Sequence, residues 1–260
     1  MRDDYKEFTE KVYLKLGIDL QQYKEAQMKR RLTTLRDKRG YSNFTSYFHA
    51  ISKDTDLLNE FLDRITINVS EFYRNPKRWE TLQNIVLPAL TKNKKHITIW
   101  SAACSTGEEP YSIAIMLNEY FPDVKATILA TDIDEIVLEK ARKGVYHEQS
   151  LKDLPHNLKK KYFKQVGTFQ AIDANIKRKI TFRKHNLLED TYPSNIDLII
   201  CRNVLIYFTD VAKETIYQQF STSLLPDGIL FVGSTEQIFS PSKYNLKLLE
   251  TFFYQKNNET

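Results

Sequence analysis

Apolar residues recur at helical spacing through residues 1 to about 66. Tyr5, Phe8, Val12 and Leu16 form one stripe, and Met28, Leu32 and Leu35 form a second with Gly40 as its stop. Phe44, Tyr47, Phe48 and Ile51 form a third, for which Ser42 is the expected cap. Leu57, Leu58, Phe61, Leu62 and Ile65 mark a fourth. No alternating pattern interrupts them, so a small all-helical domain is expected.

The rhythm then changes. A polar stretch over 66–74 leads into a helix started by Asn75-Pro76. From Ile97 onward, short apolar runs alternate with amphipathic segments. Strands are expected at Ile97–Trp100, Ala126–Ala130, Ile180–Phe182, Asp197–Cys201 and Ile229–Val232. Helices are expected at Pro110–Phe121, Asp134–Lys143 and Asp210–Leu225. Such alternation predicts an α/β domain with a mostly parallel sheet. The lysine-rich piece at 150–180 breaks it and reads as an insertion. Leu246–Gln255 reads as a pair of antiparallel edge strands. The expected division is 1–70 for the helical domain and 71–260 for the α/β domain, with a β-insertion at about 150–182.

With 260 residues and 42% hydrophobic positions, the chain can bury a proper core. Its apolar runs are too short to cross a bilayer, and the N-terminus shows no signal region. A cytoplasmic protein without membrane insertion is expected. Cys104 and Cys201 have no metal-ligand spacing, and neither a disulfide nor a metal site is expected. The net charge of +5 is concentrated rather than spread. Residues 24–39 alone hold seven basic and two acidic side chains, and 143–184 hold eleven and three.

The strongest chemical signal follows the first strand. Trp100 leads into Ser101-Ala102-Ala103-Cys104-Ser105-Thr106-Gly107-Glu108-Glu109-Pro110. Small residues let a ligand lie against the backbone, as the glycines of a dinucleotide fingerprint do. A pyrophosphate, however, needs a bare helix N-terminus, and Glu108 and Glu109 would repel it. Carboxylates suit a ligand with cationic groups, such as a sulfonium or an α-ammonium. The plainer alternative is a capping box joining Thr106 and Glu109.

Three more strand ends carry polar residues. Asp132 ends the second strand, where α/β nucleotide binders grip ribose hydroxyls, while Asp134 is better placed to cap the next helix. His185-Asn186-Leu187 and Arg202-Asn203 follow two later strands. Turn chemistry alone could explain either asparagine. Together the four ends predict one crevice.

Three long motifs, Ile67-Asn68-Val69-Ser70-Glu71-Phe72-Tyr73-Arg74, Trp100 through Ser112, and Cys201-Arg202-Asn203-Val204-Leu205-Ile206-Tyr207-Phe208, closely resemble the bacterial chemotaxis receptor methyltransferases of the CheR type. The resemblance spans nearly the whole chain. It implies a class I methyltransferase-like α/β fold and transfer of a methyl group from S-adenosyl-L-methionine to glutamate side chains of chemoreceptors. The products are glutamate γ-methyl esters and S-adenosyl-L-homocysteine. By the same resemblance Asn68, Ser70 and Arg74 lie on a linker over the cofactor. Ser70 stands where a threonine is common, and it keeps the hydroxyl. Glu109 meets the cofactor's amino-acid part, Asp132 its ribose, and Asn186 with Leu187 its adenine. Arg202 and Asn203 approach it from a strand end, while Arg74 and Tyr207 border the transferred methyl.

A glutamate acceptor is ionised at neutral pH, with a reference pKa of about 4.3, so the reaction needs no general base. That accounts for a sequence without a histidine dyad. The basic helix 24–39 is a solvated face on the plain reading. The resemblance makes it a docking surface for acidic receptor helices. The insertion matches a subdomain that binds receptor tails in some relatives, but it is shorter here and keeps only Gly167, which argues against tethering. A monomer that binds no nucleic acid is expected. A nucleic-acid methyltransferase would place an Asn/Asp-Pro-Pro-aromatic motif where Arg202-Asn203-Val204 stands. An NAD-dependent dehydrogenase would need the missing glycines. A receptor adaptor without turnover need not keep Arg74, Glu109 and Tyr207.

Overall fold

A computed structural model describes residues 4–66 and 68–258 of the chain. Ile67, the first residue of the linker motif, lies outside them. The chain forms two compact units, Met1–Asn68 with Leu205–Ile216, and Val69–Val204 with Tyr217–Thr260.

The first unit contains α1 (Asp4–Leu16), α2 (Glu25–Lys38), α3 (Phe44–Ile51) and α4 (Thr55–Thr66). The expected stripes are the buried faces. Phe8 sits among the rings of Phe44, Phe61 and Tyr47, with centroids 5.0, 5.9 and 6.1 Å away. Burying each such ring contributes about 1.5–3 kcal/mol. The cap of α3 is Asn43 rather than Ser42. Asn43 has the extended backbone of an N-cap, and its side chain accepts from Ser46 N. Gly40, at φ +79°, turns the chain away after α2.

Leu205–Ile216 completes this unit from far along the sequence. Lys24 N donates to Tyr207 O (2.9 Å) and Thr209 N to Gln22 O (2.8 Å). Tyr23 and Phe208 form an antiparallel bridge between them, with their rings 4.7 Å apart.

In the second unit, α5 (Pro76–Thr81) and α6 (Leu87–Thr91) precede β1 (His96–Ala102), α7 (Glu108–Tyr120), β2 (Lys125–Asp132) and α8 (Glu135–Lys143). Then come β3 (Val145–His147), α9 (His156–Tyr162), β4 (Phe163–Val166), β5 (Phe169–Ile172), α10 (Ala174–Lys177), β6 (Ile180–Lys184) and β7 (Ile196–Cys201). The chain closes with α11 (Asp210–Ser223), β8 (Leu224–Val232), β9 (Leu246–Glu250) and β10 (Phe253–Lys256). The large sheet runs β6-β2-β1-β7-β8-β10-β9. Its first five strands are parallel, and β10 and β9 add on antiparallel. β7 is buried at all six positions, as a central parallel strand should be. Strand order reverses between β1 and β7. A ligand crevice forms at such a switch point, beyond the C-terminal strand ends.

The second sheet, β3-β5-β4, is antiparallel. It begins earlier than the expected insertion, and Ile180–Phe182 belongs to the large sheet instead. Gly144 sets the start. At φ +65° it ends α8, and its carbonyl accepts Ile172 N at 2.9 Å. A Cβ there would lie 2.7 Å from Ile172 Cγ2.

Candidate functional site

The loop after β1 is wound so that backbone lines the crevice. Ala103, Ser105 and Gly107 all have left-handed conformations, at φ 61°, 49° and 94°. Only glycine fits the last of these, because a Cβ would lie 2.9 Å from Ala141 Cβ. Cys104 N donates to Thr131 O and Ser105 N to Asp132 Oδ2, both at 2.8 Å, which ties the loop to the end of β2. The Thr106–Glu109 capping box does not form. Gly107 is the N-cap, Thr106 Oγ1 donates to Glu108 Oε2 (2.7 Å), and Glu109 is left for another task.

Glu109 turns inward. Ser101 Oγ donates to its Oε1 at 2.8 Å, and its Oε2 lies 3.9 Å from Arg202 Nη1. That second distance is an ion pair without a hydrogen bond. Burial pushes the Glu109 carboxyl up to about 7, against the opposing pull of Arg202 and Ser101. Arg202 has 3% of its side chain exposed. Its guanidinium lies over the rings of Phe231 and Trp79, at 4.8 and 5.8 Å. Its Nη2 donates to Arg74 O (2.8 Å) and Asn75 Oδ1 (3.0 Å), and its Nε is buried without a hydrogen-bond partner.

Asp132 is buried at the tip of β2 and braces two turns. Ser105 N donates to one carboxylate oxygen, and Asp134 N to the other at 3.0 Å. Burial lifts its pKa to about 6, opposed by these backbone donors. Asp134 caps α8 through Ile136 N, as expected. Asp132 O accepts His185 N at 2.9 Å, which holds the end of β6 alongside. Beyond it, Asn186 Oδ1 accepts Leu188 N, and Leu187 O accepts the Tyr192 hydroxyl. Asn186 and Leu187 therefore line a braced turn on the same side as Asp132.

Arg74 sits on a strained and heavily tied segment. Tyr73 and Asn75, on either side of it, have φ 53° and 62°. A left-handed tyrosine is costly, and neighbours must hold it there. Phe72 N donates to Ser150 O (2.9 Å), Tyr73 N to Ser112 Oγ (3.1 Å), and Trp79 Nε1 to Arg74 O (3.1 Å). The Arg74 guanidinium folds back to Val69 O at 3.1 Å. Burial shifts the pKa of Glu108 upward, while Thr106 and the nearby Ser70 pull it down.

Two contributors were not singled out from the sequence: Ser112, and above all Glu236. Asn203, at φ 61°, follows Arg202 in a tight turn. Glu236 accepts Asn203 N (2.6 Å) and Gly233 N (2.8 Å) on Oε2, and Val204 N (2.7 Å) on Oε1. A glycine three residues before a glutamate, just past the end of a strand, was the available signal.

The remaining expected residues belong to the helical unit. Asn68 Nδ2 donates to Thr66 Oγ1 at 2.8 Å. Tyr207 has the Arg31 guanidinium 5.3 Å above its ring. Along α2, Lys29 and Arg36 lie against the rings of Tyr5 and Phe44, and Arg39, the residue just after the helix, pairs with Glu60 at 2.6 Å. Arg30 and Arg31 differ. With Gln27, Thr34 and Arg64 they line a groove of about 230 Å³ that has no acidic residue in its wall. Arg31 Nη1 is buried there without a hydrogen-bond partner.

The crevice of the second unit fits S-adenosylmethionine by the chemistry of its donors and acceptors. Glu109 keeps an oxygen with no hydrogen-bond donor, which suits an ammonium. Asp132 has acceptor capacity beyond its backbone donors, which suits a hydroxyl. The wall between them is Ser, Ala and Cys backbone. Among the described residues there is no cluster of metal-ligating side chains. Among the described residues no helix is long and apolar enough to cross a membrane.

The chain also matches known proteins. The family model described as CheR methyltransferase, SAM binding domain, matches residues 68–252, and CheR methyltransferase, all-alpha domain, matches 3–66. A chemotaxis protein methyltransferase of Listeria innocua is 43% identical over 257 residues, covering 98% of each chain. One from Borreliella burgdorferi is 36% identical over 271 residues, covering 98% of this chain and 95% of its own. Among solved structures, an amino pentose methyltransferase from Micromonospora echinaspora, with S-adenosylmethionine bound, aligns over 56% of this chain and 45% of its own. Its identity is 13% and its TM-score 0.35. With the two family domains matched in order from residue 3 to 252, the chain belongs to the CheR methyltransferases, S-adenosylmethionine-dependent enzymes of chemotaxis.

Proposed function

We propose that this chain methylates glutamate side chains on the acidic cytoplasmic helices of chemoreceptors, and that the crevice at the β1/β7 switch point holds S-adenosylmethionine. The inward-facing, largely buried Glu109 at the start of α7, with one hydrogen bond from Ser101, carries the reading, because it favours a cationic ligand over a pyrophosphate. Glu109 would hold the cofactor's ammonium and Asp132 its ribose. Asn186 and Leu187 would flank the adenine, and Arg202, Asn203, Asn68 and Ser70 would supply further contacts.

When bound, S-adenosylmethionine supplies an electrophilic methyl group on a sulfonium. The acceptor carboxylate is already ionised, so no residue of this chain has to remove a proton. The work left to the protein is placing that carboxylate and stripping its water. Arg74 can pair with it, and Tyr207 can orient it through its hydroxyl. The ties that hold Tyr73 and Asn75 in left-handed conformations give the Arg74 backbone a fixed starting point.

Receptor recognition is assigned to α2. The groove at Arg30, Arg31 and Arg64 gathers three guanidinium groups beside the polar Gln27 and Thr34, which complements acidic side chains on a partner helix. A monomer acting in the cytoplasm fits that role.

The deciding experiment is calorimetric titration of the purified protein with S-adenosylmethionine, S-adenosylhomocysteine and NAD. Binding of the first two and silence with NAD is expected. Tight NAD binding with no response to the other two would overturn the reading.

A further inference from the structure

Arg202 and Asn203 lie at the centre of the crevice, yet nothing in their own side chains explains why the turn carrying them holds its shape. Asn203 is left-handed, and three consecutive residues leave the end of β7 without sheet partners. The restraint comes from another strand end. Glu236 has 5% of its surface exposed, and its carboxylate accepts three backbone N–H groups, from Asn203, Val204 and Gly233. Glu236 N donates to Gly233 O at 2.9 Å, so the Gly233–Glu236 turn folds the side chain back over itself. Gly233 is there because of the clamp. A Cβ at that position would lie 2.4 Å from Glu236 Oε2 and 2.7 Å from Asn203 N.

We propose that Glu236 is a positioning residue of the methyl-transfer site, bolting the end of β7 to the end of β8 so that Arg202 faces Glu109 and Asn203 faces the cofactor. The proposal rests on the assignment of this crevice to S-adenosylmethionine. Removing the carboxylate leaves three backbone donors unsatisfied, and the turn relaxes to pair them elsewhere. Arg202 then loses its register with both Glu109 and the Arg74 carbonyl.

The test measures S-adenosylhomocysteine affinity by calorimetry, the Tm of the cofactor-free protein, and KM for both substrates, in Glu236→Ala, Glu236→Gln and Gly233→Ala. Glu236→Ala is expected to weaken S-adenosylhomocysteine by about tenfold or more at unchanged stoichiometry. KM for S-adenosylmethionine rises in parallel, while KM for receptor moves by less than about twofold. Glu236→Gln keeps one acceptor oxygen and falls between Ala and wild type. Should Glu236→Ala fail to fold, Gly233→Ala displaces the carboxylate without removing it and is expected to show the same split. Affinity within about twofold of wild type in a folded variant, or an equal rise in both KM values, overturns the positioning role. A wild-type protein that does not bind S-adenosylhomocysteine at all overturns the cofactor assignment itself. Wild-type binding with equally tight variants overturns only the clamp.

Discussion

The Glu109 carboxylate and the Arg202 guanidinium face each other 3.9 Å apart, both almost withdrawn from solvent, with no hydrogen bond between them. Each is hydrogen-bonded elsewhere, Glu109 to Ser101 and Arg202 to the Arg74 backbone and Asn75. The pair is held slightly apart, with room for a donor to reach the carboxylate.

Removing one partner of such a pair leaves the other buried and uncompensated. Arg202→Met keeps the volume against Phe231 and Trp79 but deletes the charge and the tie to the 74–75 backbone. The expected loss of stability is about 3–5 kcal/mol in denaturant unfolding. Wild-type stability in this variant would mean that the tie to Arg74 contributes nothing.

Protonation of Glu109 should set the pH dependence of cofactor binding. Burial holds it at about 7, above its ordinary value of 4.5. Between those two values the folded protein binds more protons than the unfolded chain, so the cofactor-free protein loses stability as pH rises through that window. A cationic ligand favours the ionised form. Cofactor affinity should therefore rise with pH through about 7, with a proton released on binding near neutrality. Calorimetry in buffers of different ionisation enthalpy reads that proton. Glu109→Gln should abolish the release, and a pH-independent affinity in wild type would contradict the role given to Glu109.

Arg74→Ala should abolish methyl transfer, because the group proposed to pair with the incoming carboxylate is gone. The expected fall in kcat is about 10²-fold or more, the scale on which an electrostatic stabiliser of a reacting group acts. The segment itself should persist, because its ties run through backbone at Phe72, Tyr73 and Arg74 O rather than through the guanidinium. Transfer of labelled methyl to a receptor fragment measures it. Turnover near wild type refutes the assignment.

Much of this site could be read in the sequence because its signals are local. Stripes of period 3.6 located α1 to α4, and the small-residue run before Glu108 and Glu109 located the crevice. Asp132 and Arg202 stand at strand ends, where polar residues after apolar runs are conspicuous. What escaped depended on contacts between distant residues. Leu205–Ile216 joins the helical unit through backbone bonds to Gln22 and Lys24, which leave no trace in side-chain pattern. The apparent capping box at Thr106 failed because Gly107 adopts φ 94° and takes the cap itself. Glu236 was invisible because its partners are backbone N–H groups, which every sequence has.

The charge on α2 is where sequence and structure together narrow an ambiguous signal. Seven basic residues over 24–39 could all have been a solvated face. Lys29 and Arg36 instead pack on aromatic rings, and Arg39 pairs with Glu60, so these three serve the helical unit. Arg30 and Arg31 are left facing Arg64 across a groove with no acidic residue in its wall. Burial lowers the Arg31 pKa, helped by the nearby Arg64 and Arg30 charges and opposed by Tyr207. An arrangement that crowds positive charge costs stability, and an anionic partner would relieve it. Arg30→Glu with Arg31→Glu should therefore raise KM for receptor by about tenfold or more while leaving S-adenosylhomocysteine affinity unchanged. The effect should shrink as ionic strength shortens the screening length below about 10 Å. If receptor KM stays at the wild-type value at low salt, the groove does not face the substrate and α2 is only a solvated helix.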